Sequence, residues 1–219
     1  MKLSTRPDES MGSDVEWAEA TNMLREVLEQ KKIKYEIKEK EGNFYAPKID
    51  VDIRDSLGRE WQCCTIQADM QMPKKFKLTY VGEDGKEHTP IVIHRTIFGS
   101  LERFLGVILE HYKGKLPIWL APIQARVIPV SDAHVEYGKL VLSQLKDEGL
   151  RAEGDFEAGT MSSKIKVAQI QKIPYMLIVG EKEEKSNTIA LRTREGNIRY
   201  DVRAEDFINE MKEKAKAFQ

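Results

Sequence analysis

The chain has 219 residues, of which 41% are hydrophobic and 32% charged, with a formal net charge of -1. That length allows one large domain or two small ones, and the near-zero charge excludes a global electrostatic pull toward nucleic acid, so any RNA site must be a local patch. The two cysteines are the neighbours Cys63 and Cys64, no apolar run is long enough to span a bilayer, and Met1 to Pro7 lacks the apolar core of a signal peptide; a soluble protein of a reducing, cytoplasmic compartment is the expectation.

Asp8 to Asp14 is polar and loop-like, and no strand or helix is predicted before it. Ser13 or Asp14 can cap a helix over Val15 to Lys31 with Trp17, Ala20, Leu24, Val27 and Leu28 as its buried stripe. Ile33 to Ile37 is a short strand. Ile49, Val51 and Ile53 alternate with Lys48, Asp50 and Asp52, the period of a half-buried strand. Asp55 to Arg59 is turn chemistry, and Trp61 to Asp69 returns as the antiparallel partner. Leu78 to Val81 extends, Glu83 to Lys86 turns, Pro90 to Ile93 is a further strand, and a helix runs from Ser100 to about Lys113.

The proline-punctuated run Leu116 to Pro122 marks a boundary, which divides the chain into domains 1–116 and 117–219. Beyond it strands and helices alternate: Val127 to Val130, helix His134 to Glu148, Leu150 to Asp155, helix Ser162 to Gln171, Tyr175 to Val179, Thr188 to Thr193, and helix Ala204 to Phe218. The fold class is α/β, with an antiparallel sheet in the first domain and a small, largely parallel sheet in the second.

Two constellations carry chemistry. Thr65, Gln67 and Asp69 recur every second residue and share one strand face. They are either a solvated face or a pocket whose amides and hydroxyls orient a small polar substrate. Tyr45 and Lys48 can add an aromatic hydroxyl and a cation, or serve as an ordinary strand start with a solvated lysine. The second constellation is Gly99-Ser100-Leu101-Glu102-Arg103-Phe104. Gly99 permits close backbone approach, Ser100 can cap the helix, and Leu101, Phe104, Leu105, Ile108, Leu109 and Tyr112 form its predicted buried stripe. Arg103 falls opposite that stripe, either solvated or able to grip phosphate through paired hydrogen bonds. A hydrolase built on zinc at His88 and His94 is a weak alternative, since no helix-borne HExxH is present.

These segments, in this order, resemble threonyl-tRNA synthetases of class II. The specific strings are Lys2 to Pro7, Phe44 to Ile49, Trp61-Gln62-Cys63, Tyr80 to Asp84, His94-Arg95, the class II motif 3 at Gly99 to Phe104, Trp119 to Pro122 and Pro174 to Leu177. The resemblance implies an ATP-dependent ligase that makes threonyl-adenylate, with Mg2+, and passes threonine to its tRNA. It implies Arg103 as the nucleotide-holding catalytic residue, with Ser100 beside it. Tyr45, Gln62, Thr65 and Gln67 match positions lining the threonine and adenylate pocket, with Cys63 and Lys48 beside them. His94 matches one of three zinc ligands, the other two lying upstream of the matching region. Residues 117–219 match the anticodon-binding domain, with Lys166, Lys172, Glu183 and Arg192 meeting the anticodon loop. Homodimers are the rule in the family.

The chain departs from the family pattern in places. Cys64 stands where glycine is usual, lysines replace arginines at 166 and 172, and Ala158 replaces a common asparagine. Motifs 1 and 2 lie before the matching region. Losing one preorganised donor from such a site costs about 100- to 1000-fold, so the isolated chain is not expected to aminoacylate. A non-catalytic tRNA-binding or regulatory module is the alternative.

Overall fold

The computed structural model describes residues 1–218, arranged as two compact units, Met1–His111 and Tyr112–Gln219. The first contains β1 (Lys2–Ser4), α1 (Asp14–Gln30), β2 (Glu36–Lys38), β3 (Lys48–Arg54), β4 (Glu60–Asp69), α2 (Met72–Lys75), β5 (Tyr80–Val81), β6 (Glu87–His88), β7 (Val92–Thr96) and α3 (Leu101–His111). The sheet order is β2-β1-β3-β4-β7, with β1 and β2 parallel and the other pairs antiparallel; β5 and β6 form a separate hairpin.

Helix α1 starts on a reciprocal cap. The Ser13 N–H donates to Glu16 Oε2 at 2.9 Å, and the Glu16 N–H donates back to Ser13 Oγ at 3.4 Å. The helix lays Ala20, Leu24 and Leu28 on Leu3, Ile49 and Ala68 of the sheet. Val27, expected in the stripe, is exposed, and Thr21 is buried instead. Residues 2–4, expected as loop, form a strand paired on both sides, Leu3 facing Ile37 and Ile49. Three residues are too few to show an alternation, and only their partners make them a strand.

The predicted stripe of α3 is corrected more heavily. Only Val107 is buried, with Phe104 and Ile108 partly covered, while Leu101, Leu105 and Leu109 are about half exposed or more. The helix is strongly one-sided, but its apolar face is left largely uncovered among the described residues, so periodicity points to a face that packing does not bury.

The second unit contains β8 (Ala125–Pro129), a 3-10 turn (Asp132–His134), α4 (Val135–Asp147), β9 (Ala152–Gly154), α5 (Met161–Ile170), β10 (Tyr175–Val179), α6 (Glu181–Ser186), β11 (Ile189–Thr193), β12 (Ile198–Val202) and α7 (Ala204–Lys216). The order β12-β11-β10-β8-β9 is mixed rather than largely parallel: β9, β8 and β10 run parallel, while β10, β11 and β12 are antiparallel. The sequence reading missed β12 because its residues are mostly exposed and lack apolar alternation; a turn with Gly196 at a φ of +100° sends it back along β11. Val127, Leu177 and Leu191 pack with Val141, Leu145 and Phe207, whereas Ile128 and Met176 pack with Ala168 and Ile173. Cover on both faces explains the unbroken apolar run of β10.

Leu28 is 2% exposed at the centre of the contact between α1 and the sheet. Leu28→Ala is expected to cost about 2–5 kcal/mol of stability, read as a lowered urea midpoint. An unchanged midpoint would show that α1 does not hold the sheet.

Candidate functional site

Strand register assembles the polar face. Lys48 faces Gln67 across β3 and β4, and Gln67 faces His94 across β4 and β7; Asp50 faces Thr65, which faces Thr96. Side chains then link within the face. The Tyr45 hydroxyl donates to Gln67 Oε1 at 2.6 Å, and Asn43 Nδ2 donates to that hydroxyl at 3.3 Å. Gln67 Nε2 reaches Thr65 Oγ1 at 3.5 Å, a long and weak bond. The Tyr45 ring stands edge-on to His94 with centroids 5.8 Å apart.

A second group gathers around buried Asp50. Its Oδ2 lies 2.9 Å from Lys48 Nζ, and its Oδ1 accepts from Gln62 Nε2 at 2.6 Å. Gln62 is out of phase with Thr65 and Gln67 by simple alternation. A β-bulge supplies the phase change: Val51 faces Cys64 but Asp52 faces Gln62, leaving Cys63 as the extra residue. Cys63 is buried, and burial, with Asp52 adding, raises its thiol pKa against the opposing charge of Arg103. Sequence reasoning missed Asp50 as a participant, because Lys48, Asp50 and Asp52 read equally well as a solvated strand face.

His94 meets a carboxylate rather than a group of metal ligands. Its Nε2 lies 2.8 Å from Asp69 Oδ2. Asp69 is fully buried, and its Oδ1 accepts the N–H groups of Gln71 and Met72 at 2.9 Å each. A protein zinc site takes three or four ligands. Among the described residues no three His, Cys, Asp or Glu side chains are placed to hold a metal ion. The donor set of this chain alone therefore does not fit zinc.

The start of α3 rests on β4. Gly99 has a φ of +66°, and a Cβ there would lie 3.1 Å from the Cys63 carbonyl oxygen, so both torsion and space favour glycine. Ser100 Oγ accepts the Arg103 N–H at 3.4 Å and donates to Glu102 Oε2 at 2.7 Å, the geometry of a cap. The Arg103 guanidinium lies 5.7 Å from the centroid of the Trp61 ring. Nearby, Asp55 Oδ2 accepts from Trp61 Nε1 at 2.9 Å and from Arg59 Nε, while Oδ1 accepts the Leu57 and Arg59 N–H groups. Burial pushes the Asp55 carboxyl up, but these donors outweigh it and hold it well below the usual carboxylate range. The structure thus joins Tyr45, Gln67 and Thr65 by hydrogen bonds, with His94 against the Tyr45 ring, and joins Lys48 to Gln62 through Asp50. Arg103 and Ser100 form a further group, and among the described residues no hydrogen bond or ion pair joins their side chains to the other two.

In the second unit Lys166 and Lys172 are exposed and have no carboxylate partner among the described residues. Arg192 faces Met176 across β11 and β10, and its Nε is buried without a hydrogen-bond partner among the described residues. Glu183 Oε2 accepts the Gly180 N–H at 3.1 Å and so caps α6. Lys172 lies in the loop before β10, Arg192 on β11 opposite the start of β10, and Glu183 after the end of β10; among the described residues no hydrogen bond or ion pair joins the four.

Residues 7–112 match the family model described as the tRNA synthetase class II core domain (G, H, P, S and T), and residues 124–214 match the anticodon binding domain. The chain is 50% identical over 208 residues to the threonine–tRNA ligase of Clostridioides difficile (strain 630), covering 95% of this chain and 33% of that protein. It is 48% identical over 216 residues to that of Thermotoga neapolitana, covering 99% and 34%. The crystal structure of the RNA binding domain of threonyl-tRNA synthetase from Cryptosporidium parvum Iowa II superposes with a TM-score of 0.89 at 38% identity, over 97% of this chain and 54% of that one. The chain thus spans about a third of the length of the curated relatives it matches.

The Asp55 cluster has a signature in acid. A carboxyl with a lowered folded pKa contributes stability above its unfolded value of about 4 and loses it as pH falls through the folded value. The gap in urea midpoint between the parent chain and Asp55→Asn is expected to hold from pH 7 to 5 and to shrink below about pH 4. A gap that stays constant down to pH 2 would rule out this linkage.

Proposed function

The chain belongs to the threonine–tRNA ligase family of class II aminoacyl-tRNA synthetases, and from that premise we propose that it carries two parts of the ligase reaction. Residues 1–116 are the C-terminal part of the catalytic domain, and residues 117–219 are the anticodon-binding domain. The reaction joins threonine to ATP, with Mg2+, as threonyl-adenylate and then transfers threonine to its tRNA. The observation that carries this reading is the tandem match, class II core followed by anticodon-binding domain, at about half identity to threonine–tRNA ligases.

Each candidate residue has a role consistent with its surroundings. Tyr45, Thr65 and Gln67 present a hydroxyl–amide–hydroxyl series suited to the polar groups of threonine. A site built this way discriminates against an isostere without a hydroxyl, because its own polar groups are then left unpaired. Lys48 and Gln62, held by Asp50, and Cys63 border that face. Arg103 and Ser100 receive the nucleotide phosphates. In the second unit Lys166, Lys172 and Arg192 meet the anticodon loop, with Glu183 as a hydrogen-bond acceptor. The orphaned Arg192 Nε is a donor that an RNA acceptor would satisfy. The proposed partners are the threonine tRNA, threonine and ATP, with homodimerisation in the cytoplasm as in the family.

A second reading is a tRNA-binding module without catalysis, for which the match of residues 124–214 to the anticodon binding domain speaks by itself. Ligand affinity separates the two. Binding of threonine or ATP by this chain supports the ligase reading, whereas selective, salt-dependent tRNA binding without affinity for either supports the module.

Lys166→Ala and Lys172→Ala are each expected to weaken binding of the threonine tRNA. Each should also make the dependence of log affinity on log salt shallower by about 0.7–0.9, one released counterion per lost phosphate contact. Gel-shift titration across salt concentrations measures this. Equal affinity for unrelated tRNAs, unaffected by either substitution, would sink the anticodon assignment.

A further inference from the structure

Two arginines stand near one tryptophan, and their surroundings differ. The guanidinium carbons of Arg59 and Arg103 lie 5.6 and 5.7 Å from the centroid of the Trp61 ring. Arg59 is saturated with carboxylates. Its Nε bonds Asp55 Oδ2 at 2.5 Å, and its Nη2 bonds both Glu110 oxygens at 2.9 Å. Arg103 has no ion pair and no side-chain hydrogen bond among the described residues, and only the ring holds its guanidinium.

The ring itself is fixed. Trp61 Nε1 donates to Asp55 Oδ2 at 2.9 Å, and the Asp55 side chain is 1% exposed and takes three further donors from its own turn. Arg59 then bridges Asp55 to Glu110 on α3, the helix that carries Arg103. The turn after β3, the ring and the helix are therefore tied at both ends of α3: by Gly99 against Cys63 at the start and by Glu110 near the end.

We propose that Trp61, oriented by Asp55, is a positioning residue that presents Arg103 to a polyanionic ligand. A π face attracts a cation without consuming its N–H groups, so all five guanidinium donors stay available. A carboxylate partner would instead compete directly with phosphate, as Asp55 and Glu110 do at Arg59. The ligand class is a nucleoside triphosphate, and the proposal rests on the reading of Arg103 as the nucleotide-holding residue.

The test uses NMR of the full chain with ATP as the probe. In the parent chain the Arg103 side-chain protons are expected to be shifted by the Trp61 ring current, and ATP is expected to perturb them. Trp61→Leu should abolish the ring shift and weaken ATP binding about two- to five-fold, the range of an exposed cation–π contact. Trp61→Phe, which keeps a π face, should recover part of both. Asp55→Asn should reduce the ring shift without unfolding, as judged by the rest of the spectrum. Arg103 protons at free-arginine positions in the parent chain, or ATP binding unchanged or tightened in Trp61→Leu, would overturn the proposal. A ring-shifted Arg103 that ATP leaves undisturbed, with ATP affinity unchanged by Arg103→Ala, would remove the nucleotide role from Arg103 and the positioning role from Trp61 with it; loss of affinity in Arg103→Ala but not Trp61→Leu would remove the positioning role alone.

Discussion

The antiparallel pairing of β3 with β4 is the constraint on which the first unit depends. Its apolar face receives α1 through Ile49 and Ala68, and its polar face collects Lys48, Asp50, Thr65 and Gln67. A slip of one residue would exchange the two faces, burying amides under the helix and exposing the core. Burial of one face therefore determines the register, and the register decides which polar side chains meet. The bulge at Cys63 is the one departure, and it adds Gln62 to the face without disturbing the contact with α1.

Charged groups in this unit fall into two kinds. Asp50, Asp55 and Asp69 are buried acceptors, each engaged with at least two donors. An unpaired carboxylate in those positions would carry a large desolvation cost, so each defines its neighbours: Asp50 the Lys48 and Gln62 termini, Asp69 the His94 ring, and Asp55 the Trp61 ring. The candidate ligand-facing groups are one step further out. Rigidity thus comes from buried acceptors, while the groups left with spare donors or lone pairs are those the acceptors hold.

The second unit solves a different problem. Its central strands are covered on both faces, so their side chains are nearly all apolar and leave little room for function. Its exposed cations, Lys166 and Lys172, lie on α5 and on the loop before β10. Among the described residues they have no carboxylate partner, on a chain of net charge -1.

By itself the sequence determined the elements with strong periodicity and the resemblance carried by short ordered strings. Helix α1 with its Ser13 cap, the β3–β4 pair and the apolar β10 were all legible, because each depends on local pattern. Strand β1 was not, since three residues become a strand only through partners on both sides. The packed side of α3 was not, because its strongly apolar face is left about half exposed and Val107, off that face, is the buried residue. Strand β12 was hidden by its exposure. Within the candidate site, alternation put Thr65 and Gln67 on one strand face, residue chemistry offered Tyr45 and Lys48 beside them, and Gln62 entered only through the resemblance. The partnerships of Asp50, Asp69 and Trp61 came only with the tertiary structure. Those depend on a bulge, a cross-strand register and a helix laid over a turn, and each of these is set by contacts between residues distant in sequence.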